Sequence, residues 1–290
     1  MIIIPGPTSK ELAVEVARLS GASLVDVKSK TFPDGEVYVR ILGKVEGEDI
    51  VIVHTTAPSQ NTRLLELFLL IDAARDIGAK SVTAVVPYLA YARQDKRFLR
   101  GEAVSIDTII RILNNLSIDR FITFNTHDER SLKKFSMEVE DLSAFPLLAK
   151  YFKGRGLDGA LAFAPDQGAV EGAREASEVL GGGFGWIVKE RDRETGEIQF
   201  EQRELDVQGR RAIVFDDIIS TGGTVASATA ILNGQGAKSV YVGCVHPLLV
   251  GDALYRIMRE KVRGIVGTDS VPSPVSIVSL APLIAEEIKG

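Results

Sequence analysis

The sequence predicts an α/β fold built twice: two domains, each a mainly parallel sheet flanked by helices. Three observations predict it. Apolar runs of strand length alternate with longer helix-like stretches along the 290 residues, a pattern that folds into parallel sheets with helices on both faces. The pentapeptide Gly78-Ala-Lys-Ser-Val82 recurs as Gly236-Ala-Lys-Ser-Val240, and each copy follows a helix-like stretch and opens a strand-like run ending at Pro87 or Pro247. Agreement in both sequence and order of elements is the mark of a duplication. The third observation is the stretch 213–224, Ile-Val-Phe-Asp-Asp-Ile-Ile-Ser-Thr-Gly-Gly-Thr. It reads as a buried strand, two adjacent carboxylates, then a loop of small residues opening a helix. In open α/β sheets, ligands bind at the carboxyl ends of strands.

Taken in order, strands are expected over 50–54, 81–86, 120–124, 160–164, 212–215 and 239–245. Each is a short apolar run rich in Val, Ile and Phe. Helices are expected over 63–77, 106–114, 168–180, 224–233 and 251–260, where apolar residues return at helical spacing. A further strand is expected around Met137–Glu140, and the domain boundary follows it. The first domain takes residues 1–143 and the second 144–278, with the apolar tail 279–290 returning to the first. In the first copy, Ile50-Val-Ile-Val-His-Thr-Thr-Ala-Pro-Ser59 stands where 213–223 stands in the second. It lacks the paired acids and the glycines, so a sugar phosphate is expected in the second domain only.

Hydrophobic residues make up 45% and charged residues 25% of the chain, the balance of a globular protein. No apolar run is long enough to span a bilayer. The N-terminal Met1-Ile-Ile-Ile-Pro5 lacks the basic flank of a signal peptide, so a cytoplasmic location and no membrane partner are expected. A net charge of −5 argues against a nucleic-acid surface. Cys244 is the sole cysteine, which excludes an intrachain disulfide; its apolar neighbours mark it as core.

The chemistry starts in the loop. Ser220, Thr221, Gly222, Gly223 and Thr224 can aim backbone N–H groups at one point, and a helix N-terminus there favours an anion. Asp216 and Asp217 accept hydrogen bonds from vicinal hydroxyls, directly or through Mg²⁺. A ligand with a phosphate at one end and a diol at the other is a ribose 5-phosphate. Between two strand-like runs, Phe32-Pro33-Asp34-Gly35-Glu36 is a hairpin turn. Its tip also presents an aromatic face and two acids, which suit a base and its exocyclic amine. Arg93, Gln94, Asp95, Lys96 and Arg97 follow a strand, where cations meet polyphosphate as readily as solvent. His127 ends another strand, and Asp166 holds the matching place in the second half. Each is structural by default, and together they offer nitrogen and oxygen donors for Mg²⁺. Lys189 and Arg191 open a charged segment running to Arg203. It reads equally as a surface hairpin and as a lid that lays cations over phosphoryl charge. His54 and His246 read as structural.

These pieces in this order resemble the ribose-phosphate pyrophosphokinases (phosphoribosyl pyrophosphate synthetases) of the type I phosphoribosyltransferase superfamily. The resemblance runs nearly the whole length, through 32–36, 87–96, Asn125-Thr-His127, Pro165-Asp166, Lys189-Glu-Arg191 and 216–224. It implies two phosphoribosyltransferase-like domains and transfer of the β,γ-diphosphoryl group of ATP to the 1-hydroxyl of ribose 5-phosphate. Phe32, Asp34, Gly35 and Glu36 would meet adenine, reaching a neighbouring subunit's site in a homo-oligomer that is at least a dimer. Arg93, Gln94, Asp95 and Lys96 would hold the nucleotide, and His127 and Asp166 would ligate Mg²⁺. Lys189 and Arg191 would be catalytic, with Arg191 also meeting the sugar. Asp216, Asp217, Ser220, Thr221, Gly222, Gly223 and Thr224 would bind ribose 5-phosphate. Many members carry an acid where this chain has Ser220; the Ile-Ser-Thr-Gly-Gly-Thr form is similar to archaeal members. A phosphoribosyltransferase would share the loop but leave 32–36 and the duplication unexplained. A non-catalytic relative would have lost Lys189, Arg191, His127 or Asp166.

Overall fold

The computed structural model describes residues 1–191, 198–201 and 207–289, with the backbone alone for 188–191 and 198–201. The chain forms two compact units. One comprises Met1–Leu142, Asp269–Pro272 and Ser279–Gly290, the other Ser143–Thr268 and Ser273–Val278.

The first unit runs β1 (Ile2–Pro5), α1 (Lys10–Ser20), β2 (Ser23–Leu24), β3 (Val27–Thr31), β4 (Val37–Ile41), β5 (Asp49–Val53), α2 (Gln60–Asp76), β6 (Ser81–Val85), α3 (Ser105–Asn115), β7 (Arg120–Phe124), α4 (Glu129–Leu132) and β8 (Glu138–Leu142). Its main sheet has the order β2-β1-β5-β6-β7-β8, every pair parallel. The inner strands are covered on both faces, which is why they read as unbroken apolar runs. On α3, Ile106, Ile110 and Leu113 fall on one buried stripe, the spacing of an amphipathic helix. β3 and β4 stand apart as an antiparallel hairpin, whose Val39 and Ile41 pack on the core together with Phe68 of α2.

The second unit runs α5 (Phe145–Phe152), β9 (Leu161–Ala164), α6 (Val170–Leu180), β10 (Phe184–Trp186), β11 (Val188–Arg191), β12 (Ile198–Glu201), β13 (Arg211–Ile219), α7 (Gly223–Gly234), β14 (Ser239–Pro247), α8 (Ala253–Arg259), β15 (Ile265–Thr268) and β16 (Ser276–Val278). Its sheet is again parallel throughout, in the order β10-β9-β13-β14-β15-β16. β11 and β12 pair antiparallel. The last helix, α9 (Ala281–Glu287), belongs to the first unit, where it packs beside α1. There Arg120 pairs with both Glu140 and Glu287.

The two sheets share one connectivity, each interrupted by a hairpin after its second main strand. The repeated pentapeptide makes the same bonds in both. Gly78 and Gly236 both take positive φ, 89° and 82°, which favours glycine after a helix. Gly47 N–H donates to the Gly78 carbonyl, and Gly209 N–H to that of Gly236, both at 2.8 Å. Lys80 N–H donates to Glu48 and Lys238 N–H to Arg210. The pentapeptide is thus a stop for one helix and a register clamp for the next strand, used twice.

The expected elements are present, with shifted ends. The largest shift is in β13, read from sequence as ending at Phe215. It continues to Ile219, pairing Asp216 with Cys244 and Ile218 with His246 on β14. Asp216 is therefore part of the ladder, and it is buried. His54 is fully buried, with Nε2 at 2.8 Å from the Arg63 carbonyl. Burial pulls its pKa down to about 4. Gly6 lies against this ring, where a Cβ would come within 1.9 Å of Nδ1. His246 is also buried.

Candidate active site

The carboxyl ends of β9 and β13, neighbours in the second sheet, bring Asp166, Asp216 and Asp217 to one place. Burial pushes the Asp216 carboxyl well above the usual carboxylate range, and the charges of Asp217 and Asp166 push it further. Carboxylates close enough to repel one another suit the hydroxyls of a sugar. Asp166 Oδ1 accepts the Gly168 N–H at 2.9 Å, and Asp217 Oδ1 accepts the Ile218 N–H at 2.8 Å. Both side chains are thereby held at the strand ends. No group of three or more His, Cys, Asp or Glu among the described residues is arranged to hold a metal. A cation here would complete its shell with water and ligand oxygens, as Mg²⁺ commonly does.

Beyond β13 the chain turns through Ser220, Thr221 and Gly222 into α7. Gly222 is the N-cap, left-handed at φ 75°. The outer side of the turn is pinned. Leu249 and Val250 N–H donate to the Ile219 and Ser220 carbonyls at 3.0 and 2.9 Å, and Arg256 Nη1 donates to the Thr221 carbonyl at 2.9 Å. The N–H groups opening α7, from Gly223 on, have no carbonyl within the helix to receive them. The turn borders a cavity of about 300 Å³ lined by Pro165, Ile187, Thr221, Gly223, Thr224, Ser227 and Ala228. The helix N-terminus supplies donors and partial positive charge there. Ser220, Thr221, Gly222, Gly223, Thr224, Asp216, Asp217 and Asp166 thus share one end of one sheet.

The matching turn of the first unit turns its threonine hydroxyls inward. Ser59 takes the left-handed N-cap position of α2, at φ 66°, where Gly222 sits before α7. Thr55 and Thr56 are buried. Thr56 Oγ1 donates to the Tyr88 carbonyl at 2.6 Å and accepts from Ala90 N–H at 2.7 Å, and Thr55 Oγ1 donates to the Ser270 carbonyl. The left-handed N-cap persists, while the Thr55 and Thr56 hydroxyls bond within the unit itself.

The remaining first-unit residues fall into two groups. The segment with Arg93, Gln94, Asp95 and Lys96 and the loop with His127 both follow strands at the carboxyl edge of the sheet. Arg130 links them, with Nε at 2.7 Å from Asp128 Oδ1 and Nη2 at 3.9 Å from Asp95 Oδ2. Asp141 accepts the Thr126 N–H at 3.0 Å and holds the turn before His127. Arg93, Gln94, Lys96 and His127 are exposed. The hairpin residues form the second group. Phe32 N–H donates to the Glu36 carbonyl at 2.7 Å and Gly35 N–H to the Phe32 carbonyl at 2.9 Å, while Asp34 Oδ1 accepts the Glu36 N–H at 3.1 Å. Gly35 takes φ 96°. The tip is a preformed turn with Phe32, Asp34 and Glu36 exposed.

Lys189 and Arg191 lie on β11, opposite Phe200 and Ile198 of β12. The hairpin reading of the segment is thus met in the backbone, while both side chains, and residues 192–197, lie outside the described residues. Sequence reasoning missed Ser227 and Ala228, although they fall three and four residues after Thr224 on the same helix face. It also missed Arg256, whose bond to the turn spans 35 residues and leaves no local signal.

Two parallel sheets of equal connectivity, one ending in an acidic strand and a small-residue anion loop, define a phosphoribosyltransferase-like protein. Residues 1–116 match the family described as the N-terminal domain of ribose phosphate pyrophosphokinase, and residues 160–266 match the phosphoribosyl transferase domain. The ribose-phosphate pyrophosphokinase of Methanothermobacter thermautotrophicus is 41% identical, over 99% of this chain and 100% of its own. That of Saccharolobus solfataricus is 38% identical over 93% of each. The crystal structure of phosphoribosylpyrophosphate synthetase from Mycobacterium smegmatis superposes with a TM-score of 0.88 at 29% identity, covering 99% of this chain and 97% of that one. The chain belongs to the ribose-phosphate pyrophosphokinase family.

Proposed function

We infer that the protein transfers the β,γ-diphosphoryl group of ATP to the 1-hydroxyl of ribose 5-phosphate, giving 5-phosphoribosyl 1-diphosphate and AMP for nucleotide biosynthesis. The observation that carries this reading is the turn 220–224 beside Asp216 and Asp217 over its cavity, in a chain of this family. The N–H groups opening α7 and the hydroxyls of Ser220, Thr221 and Thr224 take the 5-phosphate. The acids accept hydrogen bonds from the ribose hydroxyls and fix the ring. With the sugar fixed, its 1-hydroxyl attacks the β-phosphorus in line and AMP leaves. Such transfer depends on alignment and charge neutralisation more than on covalent help.

Nucleotide recognition falls to Phe32, Asp34, Gly35 and Glu36 for the base and to Arg93, Gln94, Asp95 and Lys96 for the rest of ATP. Asp166 in the second unit and His127 in the first would each offer a donor to Mg²⁺, and Mg²⁺ on nucleotide phosphates would offset their negative charge. No described helix is long and apolar enough to cross a membrane; the reading places the enzyme in the cytoplasm. A homo-oligomer of at least two chains, with the 32–36 hairpin serving a neighbouring site, completes the reading.

Incubation with ATP, ribose 5-phosphate and Mg²⁺ tests it directly: AMP should form only when both substrates are present. AMP released without the sugar, or none from folded protein, would refute it. Lys189 and Arg191 are assigned to the charge that develops on the moving diphosphate. Lys189→Ala should lower kcat by on the order of a hundredfold, the cost of losing an electrostatic stabiliser, and barely change ribose 5-phosphate affinity. Equal losses in turnover and sugar binding would remove Lys189 from that role.

A further inference from the structure

We propose that Lys30, with Tyr38 opposite it, is a specificity-determining element of the nucleotide site. This rests on the reading of Phe32 as the residue that stacks the base. Lys30 and Tyr38 are directly paired across the β3–β4 hairpin, so both side chains emerge on one face, just below the tip. Lys30 Nζ lies 4.1 Å from the centroid of the Phe32 ring and 5.4 Å from that of Tyr38. The two rings meet edge to face, 6.2 Å apart at 78°. Phe32 retains 37% exposure. An aromatic residue at a hairpin tip would otherwise sample several rotamers and lose that freedom on stacking a base. The ammonium and the Tyr38 ring fix its orientation beforehand.

The ammonium also occupies one face of the Phe32 ring, so a base must stack on what remains exposed. It draws π density toward itself, which makes the ring a better partner for an electron-rich purine than for a smaller, electron-poor pyrimidine. The device acts on the base of the donor and leaves the sugar phosphate alone. It therefore changes the KM for ATP without changing kcat or the KM for ribose 5-phosphate.

Steady-state kinetics on the full-length protein tests this with four variants. Lys30→Met should raise the KM for ATP about threefold, the size of an exposed cation–π contact, and narrow the preference for ATP over CTP. Lys30→Arg, which keeps a cation over the ring, should stay near the parent. Phe32→Ala should raise the KM for ATP further, and Phe32→Ala with Lys30→Met should add nothing to it, because the two side chains act as one unit. An unchanged KM in Lys30→Met, with Phe32→Ala impaired, overturns the role of Lys30 while sparing the hairpin's. An unchanged KM in Phe32→Ala overturns both. Additive losses in the double variant would mean that Lys30 acts on the phosphates independently of the ring, which also refutes the proposal.

Discussion

Asp141 sits at the end of β8, half-buried, and accepts the Thr126 N–H through both oxygens at 3.0 and 3.2 Å. Burial raises its pKa to about 7, with Glu129 adding to the rise. In the unfolded chain it ionises near the ordinary value of about 3.9. Between about pH 4 and pH 7 the folded state therefore holds the extra proton, and stability from this group falls as pH rises through that window, then levels off. Asp141→Asn keeps an acceptor for Thr126 and removes the titration. Its melting temperature relative to the parent should be higher at pH 8 than at pH 4.5. The same difference at both pH values would contradict the assignment. None of this was legible in the sequence, where Asp141 is one acid among several in Glu138–Leu142 and only the fold decides which one meets the Thr126 N–H. Asp216 is the contrasting case. Its place beside a second acid and a small-residue loop was legible from its neighbours, while its burial was not, because that depends on β13 running on to pair with Cys244.

The turn into α7 is the element on which the proposed sugar site depends, and its two glycines differ in their surroundings. Gly222 is left-handed, and a Cβ there would meet the Ala253 carbonyl at 3.0 Å and Ile257 at 3.1 Å. Gly222→Ala should cost about 1–2 kcal/mol for the backbone alone, lowering both the melting temperature and ribose 5-phosphate affinity. A Cβ on Gly223 would meet only Arg256 Nη1, at 4.0 Å. Gly223→Ala should leave the melting temperature nearly unchanged yet weaken ribose 5-phosphate about tenfold or more, since the phosphate must approach the backbone closely. Thermal melts beside sugar-phosphate titrations separate the two. Loss of stability without loss of affinity in Gly223→Ala would place the phosphate elsewhere. The motif was readable because strand, acids, small residues and helix follow one another locally. The bonds from Leu249, Val250 and Arg256 that brace it come from a distant segment, so no local pattern announced them. The 188–191 and 198–201 hairpin was equally open to two readings, since charge and Gly196 suit a lid and a surface turn alike.

At the scale of the whole chain, duplication explains both what the halves share and where they differ. The repeated pentapeptide was a strong signal because it makes the same helix stop and strand clamp in each unit, a constraint that tolerates little change. The returning tail was legible from its apolar content, and it closes on α1 and Arg120 within the first unit. The loops differ in sequence and in bonding: the second unit's turn is of small residues beside paired acids, and the first unit's spends its threonine hydroxyls on Tyr88, Ala90 and Ser270. The account therefore predicts a single class of sugar-phosphate site per chain. A crystal structure of the full-length protein with ribose 5-phosphate is the most direct test. The phosphate should lie about 3 Å from the backbone N–H groups opening α7, with the ribose hydroxyls on Asp216 and Asp217. Sugar phosphate lodged in the Thr55–Ser59 turn of the first unit, or anywhere that leaves the 220–224 turn empty, would contradict the account.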